Sequence, residues 1–345
     1  MKKRTFIIAE AGSNWKLGDS NRDLKMAKVL IESASNAGAN AIKFQTYKSE
    51  SVYVKNAGSP SYLSKAGIKE SIGDIFDDLS MPHKIIPELA DICKSFNIEF
   101  MSTPFSVNDA KALDPYVKRH KIASYEISHS RLIEFVAKTK KPLLLSTGAA
   151  TMDEIEWALN HFKENGGSDI TLLQTTAKYP APFSSLNLKV IRTLKEKFNV
   201  KVGFSDHSRD PIIAPISAVS LGVSVIEKHF TLHNKLPGPD HFFAVTPNEL
   251  EQMVKAIRNC ELSLGSGKKI IQKEEKELRK YAQRAIQAIK PIKKGEIFRE
   301  NRNIGILRSG NQKKGIHPKY ISNVEGKKAR RKIEYGQGIT AEDYE

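Results

Sequence analysis

PLLLSTGAATMDEIEWALNHFKENGGSDITLLQTT, residues 142–176, sets the reading of the fold. Its two ends, PLLLSTG (142–148) and ITLLQTT (170–176), are short apolar runs that turn abruptly polar, as buried strands do where they reach a surface. Between them TMDEIEWALNHFKENGG carries apolar residues at helical spacing. A strand, a helix and a second strand in close succession form the unit from which parallel sheets are built.

Outward from this stretch the same unit recurs. FIIAEAG (6–12), AIKFQT (41–46), IEFMSTPF (98–105), HKIASYEI (120–127), VKVGFSD (200–206) and SVIEKHF (224–230) bring the strands to eight. NRDLKMAKVLIESASNAG, MPHKIIPELADICKSFN and TPNELEQMVKAIRNCELSLG supply further amphipathic helices. No glycine-rich dinucleotide fingerprint follows any strand, so the pattern predicts an α/β fold of the TIM (β/α)8 barrel type over residues 1–265 rather than an open doubly wound sheet. The pattern then breaks. SGKKIIQKEEKELRKYA (266–282) reads as a charged linker with helical content, and AIQAIKPIKKGEIF, NIGILRSG and KKARRKIEYGQGI, punctuated by turns, predict a small β-rich domain over 283–345.

Composition bounds the function. With 345 residues, 40% of them hydrophobic and 27% charged, the chain can bury a sizeable core, which excludes disorder as its main theme. The apolar run near the start stops at Glu10, and no stretch approaches the roughly 18 apolar residues of a membrane span. A cytoplasmic protein is expected, without membrane association. Cys93 and Cys260 have no CxxC neighbour and read as ordinary thiols of a reducing compartment. The net charge is +16, and residues 266–345 hold 21 Lys or Arg against 10 Asp or Glu. Such an excess attracts either nucleic acid or small anions, and the absence of interleaved aromatic, zinc-finger or helix-turn-helix patterns argues against nucleic acid.

The residues able to do chemistry gather at strand ends: Glu10, Lys43, Gln45, Thr103, Lys121, Ser124, Glu126, Ser146, Thr147, Tyr179, Ser205, Asp206, His207 and His229. In a TIM barrel that rim builds the active site. Lys43 and Lys121 with several hydroxyls make a cradle for phosphate and carboxylate, although a lone strand lysine could equally snorkel outward between helices. His207 and His229 end the last two strands, neighbours in a closed barrel, where two imidazoles can share one divalent ion. The sequence therefore points to a phosphorylated substrate beside a histidine-held metal.

These motifs resemble those of a known family. FIIAEAGSN, AIKFQT, STPFS, KIASYEI, LLLSTG, TTAKYPAP, GFSDHS and EKHFTL followed by PGPD are similar, in order and spacing, to the sialic acid (N-acetylneuraminate) synthases, including the legionaminic and pseudaminic acid synthases. KPIKKGEIF, ILRSGN and GIHPKYISNVEGKKARRKI resemble the antifreeze-like SAF domain of the same family. The resemblance implies a C–C bond-forming transferase that condenses phosphoenolpyruvate with N-acetylmannosamine or a 2,4-diacetamido trideoxy hexose, giving a nine-carbon 2-keto acid and phosphate. It implies phosphoenolpyruvate contacts for Lys43, Thr103, Lys121, Ser124, Ser146 and Ser205. For His207 and His229 it implies ligation of Mn2+ or Mg2+. Gln45, Tyr179 and Asp240 fall to the sugar, with Glu10 beside it, and Glu10 and Glu126 stand as alternative bases for water, with Lys121 at the reacting centre. Arg308 is implied to reach the sugar in the partner's barrel, in a homodimer that exchanges its SAF domains.

Two positions depart from the family pattern. Trp15 stands where a histidine is common and Ala177 where a polar residue is common, and both are expected on the sugar side. A more apolar pocket there suits a deoxy sugar. Two other classes fit the composition: another barrel enzyme acting on a phosphorylated substrate, such as an aldolase with a Schiff-base lysine, and a non-catalytic module that binds polyanions.

Overall fold

Eight short strands begin close to where the apolar runs begin: β1 (Phe6–Gly12), β2 (Ala41–Thr46), β3 (Glu99–Pro104), β4 (His120–Ile122), β5 (Leu143–Ser146), β6 (Ile170–Thr175), β7 (Lys201–Asp206) and β8 (Val225–His229). The computed structural model describes residues 4–54, 57–58 and 71–345. All the strand pairs are parallel, in the order β3-β2-β1-β8-β7-β6-β5-β4. The two ends of that order, β3 and β4, lie against each other without a hydrogen-bonded register, so the sheet curls into a nearly closed TIM barrel.

One boundary moves. The strand expected over 120–127 ends at Ile122, and Ser124–Glu126 forms a single 3-10 turn. The turn lifts Ser124 and Glu126 off the sheet at the barrel rim. The helices fall where their periodicity places them: Ser20–Asn36, Met152–Glu164 and Pro247–Ser263, while the segment 81–97 splits into a 3-10 turn and the helix Ile86–Ser95. Met152–Glu164 starts on a capping box between Thr151 and Glu154 and buries Ile155, Ala158, Leu159 and Phe162 on one face.

The two-residue period of each strand separates two cores. Outward residues such as Ile7, Ile42, Phe44, Leu145, Leu172, Phe204 and Ile226 pack beneath the helices. Inward residues Ile8, Ala41, Met101, Leu144, Leu173 and Val225 form an apolar layer across the barrel. Gly203 completes that layer. A Cβ built on it would stand 2.3 Å from Leu173 Cδ2 and 2.9 Å from the Val225 carbonyl oxygen, so this position has room only for hydrogen. Cys93 lies in the outer core, where burial pushes its thiol up to about 12 and leaves it unreactive.

The chain divides into two compact units, the first ending at Gly265 and the second spanning Ser266–Glu345. In the second, a turn at Lys273–Glu275 and the helix Lys276–Ala282 precede two antiparallel strands, β9 (Arg284–Ala288) and β10 (Ile304–Arg308). Ile286, Ile292, Phe298, Ile304, Val324, Ile333 and Ile339 fill its small core. Buried Gln287 donates to the carbonyls of Lys313 and Gly336 and accepts from the Gly315 N–H, tying three chain segments together. Among the described residues no helix is long and apolar enough to cross a membrane.

The Gly203 contact gives a stability test. Gly203→Ala is expected to cost about 1–3 kcal/mol, since a methyl group overpacks a filled layer, with the loss read as a lower urea midpoint. Unchanged stability would show that the layer is looser than the distances indicate.

Candidate active site

The inward positions two residues above the apolar layer change character completely. Glu10, Lys43, Thr103, Ser146, Thr175, Ser205 and Glu227 occupy them, and all are buried. Charges placed there must neutralise one another at short range. Lys43 Nζ lies 2.6 Å from Glu10 Oε2 and 3.9 Å from Glu227 Oε1, and it donates to Thr103 Oγ1 at 2.7 Å. Ser205 Oγ donates to Glu227 Oε1 at 3.2 Å. Lys121 Nζ donates to Ser146 Oγ at 2.7 Å and to the Ile122 carbonyl at 3.0 Å. Beside it the Gly148 N–H donates to Ser124 Oγ at 3.0 Å.

Burial sets the protonation of this ring. Desolvation pushes Glu10 up to about 7 against the opposing pull of Lys43. Glu227 is desolvated too, yet Lys121 and Lys43 outweigh that penalty and hold it below the usual carboxylate range. Desolvation brings Lys121 down to about 8. Glu126 is raised to about 7, again by desolvation, and its Oε2 is buried without a hydrogen-bond partner. Two ammonium groups, each already bonded to a hydroxyl, an ionised Glu227 and two carboxyls raised to about 7 at Glu10 and Glu126 make a site suited to an anion and to proton transfer.

Above the ring the histidines meet. The rings of His207 and His229 have centroids 5.4 Å apart, and Tyr179 stacks on His207 at 4.3 Å. His207 Nδ1 lies 2.8 Å from the Thr176 carbonyl oxygen, which can only accept, so Nδ1 carries the proton and Nε2 keeps its lone pair. Burial lowers His207 to about 4, and burial together with His207 holds His229 well below the usual imidazole value, so both rings are neutral at neutral pH. Both are competent ligands for a divalent cation. Asp240 Oδ2 lies 3.6 Å from His229 Nδ1, and burial raises this carboxyl to about 6. Among the described residues no three His, Cys, Asp or Glu side chains gather into a group that could hold a metal ion by itself.

Glu10, Gln45 and Asp240 converge on one backbone position. Gln45 Nε2 donates to Glu10 Oε1 at 3.1 Å, and a Cβ built on Gly12 would stand 3.4 to 3.5 Å from Gln45 Nε2, Glu10 Oε1 and Asp240 Oδ2. Gly12 has φ +52°, a left-handed turn at an irregularity in the β1–β2 register that glycine adopts without strain.

The fold thus gathers Glu10, Lys43, Gln45, Thr103, Lys121, Ser124, Glu126, Ser146, Tyr179, Ser205, His207, His229 and Asp240 at one end of the barrel. Arg308 belongs to the second unit, exposed at the end of β10 and paired across the strands with Arg284. Trp15, expected near the sugar, instead packs away from the barrel interior. Its ring is buried in the outer core, edge-on to Phe44 at 6.4 Å, because Phe44 faces away from the barrel interior while its neighbour Lys43 faces in. Ala177 lies against Gly148, with a Cβ built on that glycine 3.3 Å from the Ala177 Cβ and 2.9 Å from Ser124 Oγ. It therefore borders the lysine-hydroxyl cradle. Two residues escaped the sequence reading: Glu227, and Lys228, which faces the outer layer. Glu227 was legible in EKH, since it shares the inward face of His229 two positions on.

Comparison with known proteins places this geometry. Residues 30–269 match the NeuB family and residues 283–345 match the SAF domain. The chain is 37% identical to the pseudaminic acid synthase of Campylobacter jejuni serotype O:23/36, over 99% of this chain and 97% of that one. It is 41% identical to the N,N'-diacetyllegionaminic acid synthase of Campylobacter jejuni, over 86% of this chain and 89% of that one. The crystal structure of N-acetylneuraminic acid synthetase from Leptospira borgpetersenii superposes with a TM-score of 0.70 at 35% identity, covering 80% of this chain and 90% of that one.

Glu126 provides a pH test. Its folded value, about 7, lies above the 4.5 of an ordinary glutamate. Below pH 4.5 both states hold the proton and burial adds no charge penalty; as pH rises to about 7 only the unfolded chain loses it, and stability falls. Glu126→Gln removes this dependence. The variant is expected to gain on the wild type between pH 4.5 and 7, by up to roughly 3 kcal/mol, in denaturant titrations at stepped pH. A gap that stays constant would refute the raised value.

Proposed function

Because the chain belongs to the NeuB family and carries a C-terminal SAF domain, we propose that it is a nonulosonic acid synthase, condensing phosphoenolpyruvate with an N-acetylated amino-sugar aldehyde and water. The observation that carries this reading is the pair of buried lysines, each hydrogen-bonded to a hydroxyl, lying below two neutral histidines. Lys43, Thr103, Lys121, Ser124, Ser146 and Ser205 hold the phosphate and carboxylate of phosphoenolpyruvate, ammonium groups balancing charge and hydroxyls filling the oxygen shell. Gln45, Tyr179 and Asp240 orient the sugar. Arg308 completes that pocket from a partner subunit in a homodimer.

In the reaction C3 of phosphoenolpyruvate bonds to the aldehyde carbon, whose oxygen takes up negative charge and then a proton. Water adds to the electron-poor C2, and the tetrahedral centre collapses with C–O cleavage, releasing phosphate and leaving the 2-keto acid. Glu126 suits the role of base for that water, because its buried Oε2 is free while Glu10 is engaged by Lys43. Glu10, beside Gln45 and Asp240, is then placed to give the aldehyde oxygen its proton. His207 and His229 would hold Mn2+ or Mg2+, which when bound supplies Lewis-acid polarisation of the aldehyde. The relatives named for pseudaminic and diacetyllegionaminic acids favour a 2,4-diacetamido trideoxy hexose over N-acetylmannosamine. An enzyme consuming phosphoenolpyruvate belongs in the cytoplasm.

Phosphate release from phosphoenolpyruvate, measured with Mn2+ and a panel of acetamido sugars, tests the class and the sugar together. Release is expected with diacetamido trideoxy hexoses, and its absence with every sugar would overturn the reading. His207→Ala and His229→Ala are each expected to lower the rate about 100-fold and to abolish activation by Mn2+. Near-normal activation in both would remove the metal from the mechanism. Lys121→Ala should raise the KM for phosphoenolpyruvate at least about tenfold while moving that for sugar about twofold or less, and equal effects on both would argue against the cradle.

A further inference from the structure

One buried ion pair lies outside the ring and has no part in the chemistry above. Lys228 and Asp206 are each 1% exposed and their charged atoms are 2.7 Å apart. They are register partners on β8 and β7, each next in sequence to a histidine: Asp206 to His207 and Lys228 to His229. Alternation along β8 turns Lys228 away from the barrel interior that Glu227 and His229 face.

Every acceptor of the Lys228 ammonium comes from one short stretch. Besides Asp206 Oδ2 it donates to the Ser208 carbonyl, to Ser208 Oγ at 3.3 Å and to the Asp210 carbonyl at 3.0 Å. Asp206 Oδ1 in turn accepts the Ser208 N–H at 2.8 Å. The stretch 206–210 is the loop that carries His207 out of β7. Its far side is fixed separately, by the Ala181 N–H donating to the His207 carbonyl at 2.9 Å and by the His207 ring donating to Thr176. A desolvated lysine is costly, and a surface loop needs none to turn a corner. The cost makes sense where a loop must hold one side chain at a fixed distance from a neighbouring strand.

We propose that Lys228 is a positioning residue: paired with Asp206, it clamps the loop 206–210 to β8 and so holds the His207 ring beside that of His229. The inference rests on the reading of these histidines as the metal-holding pair. Lys228 touches no reacting atom. Its loss would free the loop and leave the rest of the site intact, so the defect would fall on the histidine pair and spare the lysine-hydroxyl cradle.

The test compares the full-length wild type with Lys228→Met and with the milder Asp206→Asn, which keeps an acceptor for the Ser208 N–H. Mn2+ affinity is read from the electron paramagnetic resonance of free Mn2+ without substrate, phosphoenolpyruvate affinity by calorimetry without metal, and the His207 ring by 15N-histidine NMR. Expected are a 10- to 100-fold weaker Mn2+ affinity, a phosphoenolpyruvate affinity within about threefold of wild type, and loss of the hydrogen-bonded Nδ1–H signal of His207. Should Lys228→Met fail to fold, the same readouts on Asp206→Asn decide. Folded variants that keep wild-type Mn2+ affinity and the Nδ1–H signal would overturn the clamp alone. A wild type that binds no Mn2+ would overturn the metal reading and the clamp with it.

Discussion

Lys43 carries its ammonium into the buried interior of the barrel, and a charge in that setting must be met at short range or given up. Glu10 meets it from β1, Thr103 from β3 and, more distantly, Glu227 from β8. The contact joins strands on both sides of β2, so the ionic ring and the register of the sheet specify one another. Shifting any of these strands by one residue would bury the apolar neighbour and strand its charged partner among the helices. The chemistry of the site and the identity of the fold thus rest on the same few bonds.

The ring also separates tasks by height. At its own level, paired charges leave the Lys121 ammonium beside a hydroxyl and the Oε2 atoms of Glu126 and Glu227 without hydrogen-bond partners. One step nearer the solvent the balance tips toward neutral aromatic groups, where Tyr179, His207, His229 and Phe243 pack ring against ring. Their burial suppresses protonation of the imidazoles. Aromatic packing therefore does more than fill space, since it keeps two nitrogen bases unprotonated close to a cluster of charges.

Much of this was legible in the sequence. Strand periodicity marked all eight strands, and polar residues at their ends marked the rim, because a barrel forces each apolar run to end at the same face. Lys43 and Lys121 pointed to the interior through their company of Ser and Thr residues. What resisted reading was orientation where the period gives no guide. Trp15 follows a turn after β1, and no alternation tells whether its ring rises to the mouth or folds back over Phe44. Glu227 and Lys228 stand side by side with opposite charges, and only the parity of β8 assigns one to the interior and the other to the outer layer. Ser124 and Glu126 looked like strand residues, although the turn that presents them depends on tertiary packing.

The apolar layer of Ile8, Ala41, Met101, Leu144, Leu173 and Val225 has a consequence for traffic. It fills the barrel below the ring of charges, so an approach from that end would have to breach a packed apolar core. On β8, Val225 belongs to that layer, Glu227 stands two residues beyond it and His229 two residues beyond Glu227. Depth along one strand face therefore sorts the apolar layer, the charges and the imidazoles in that order.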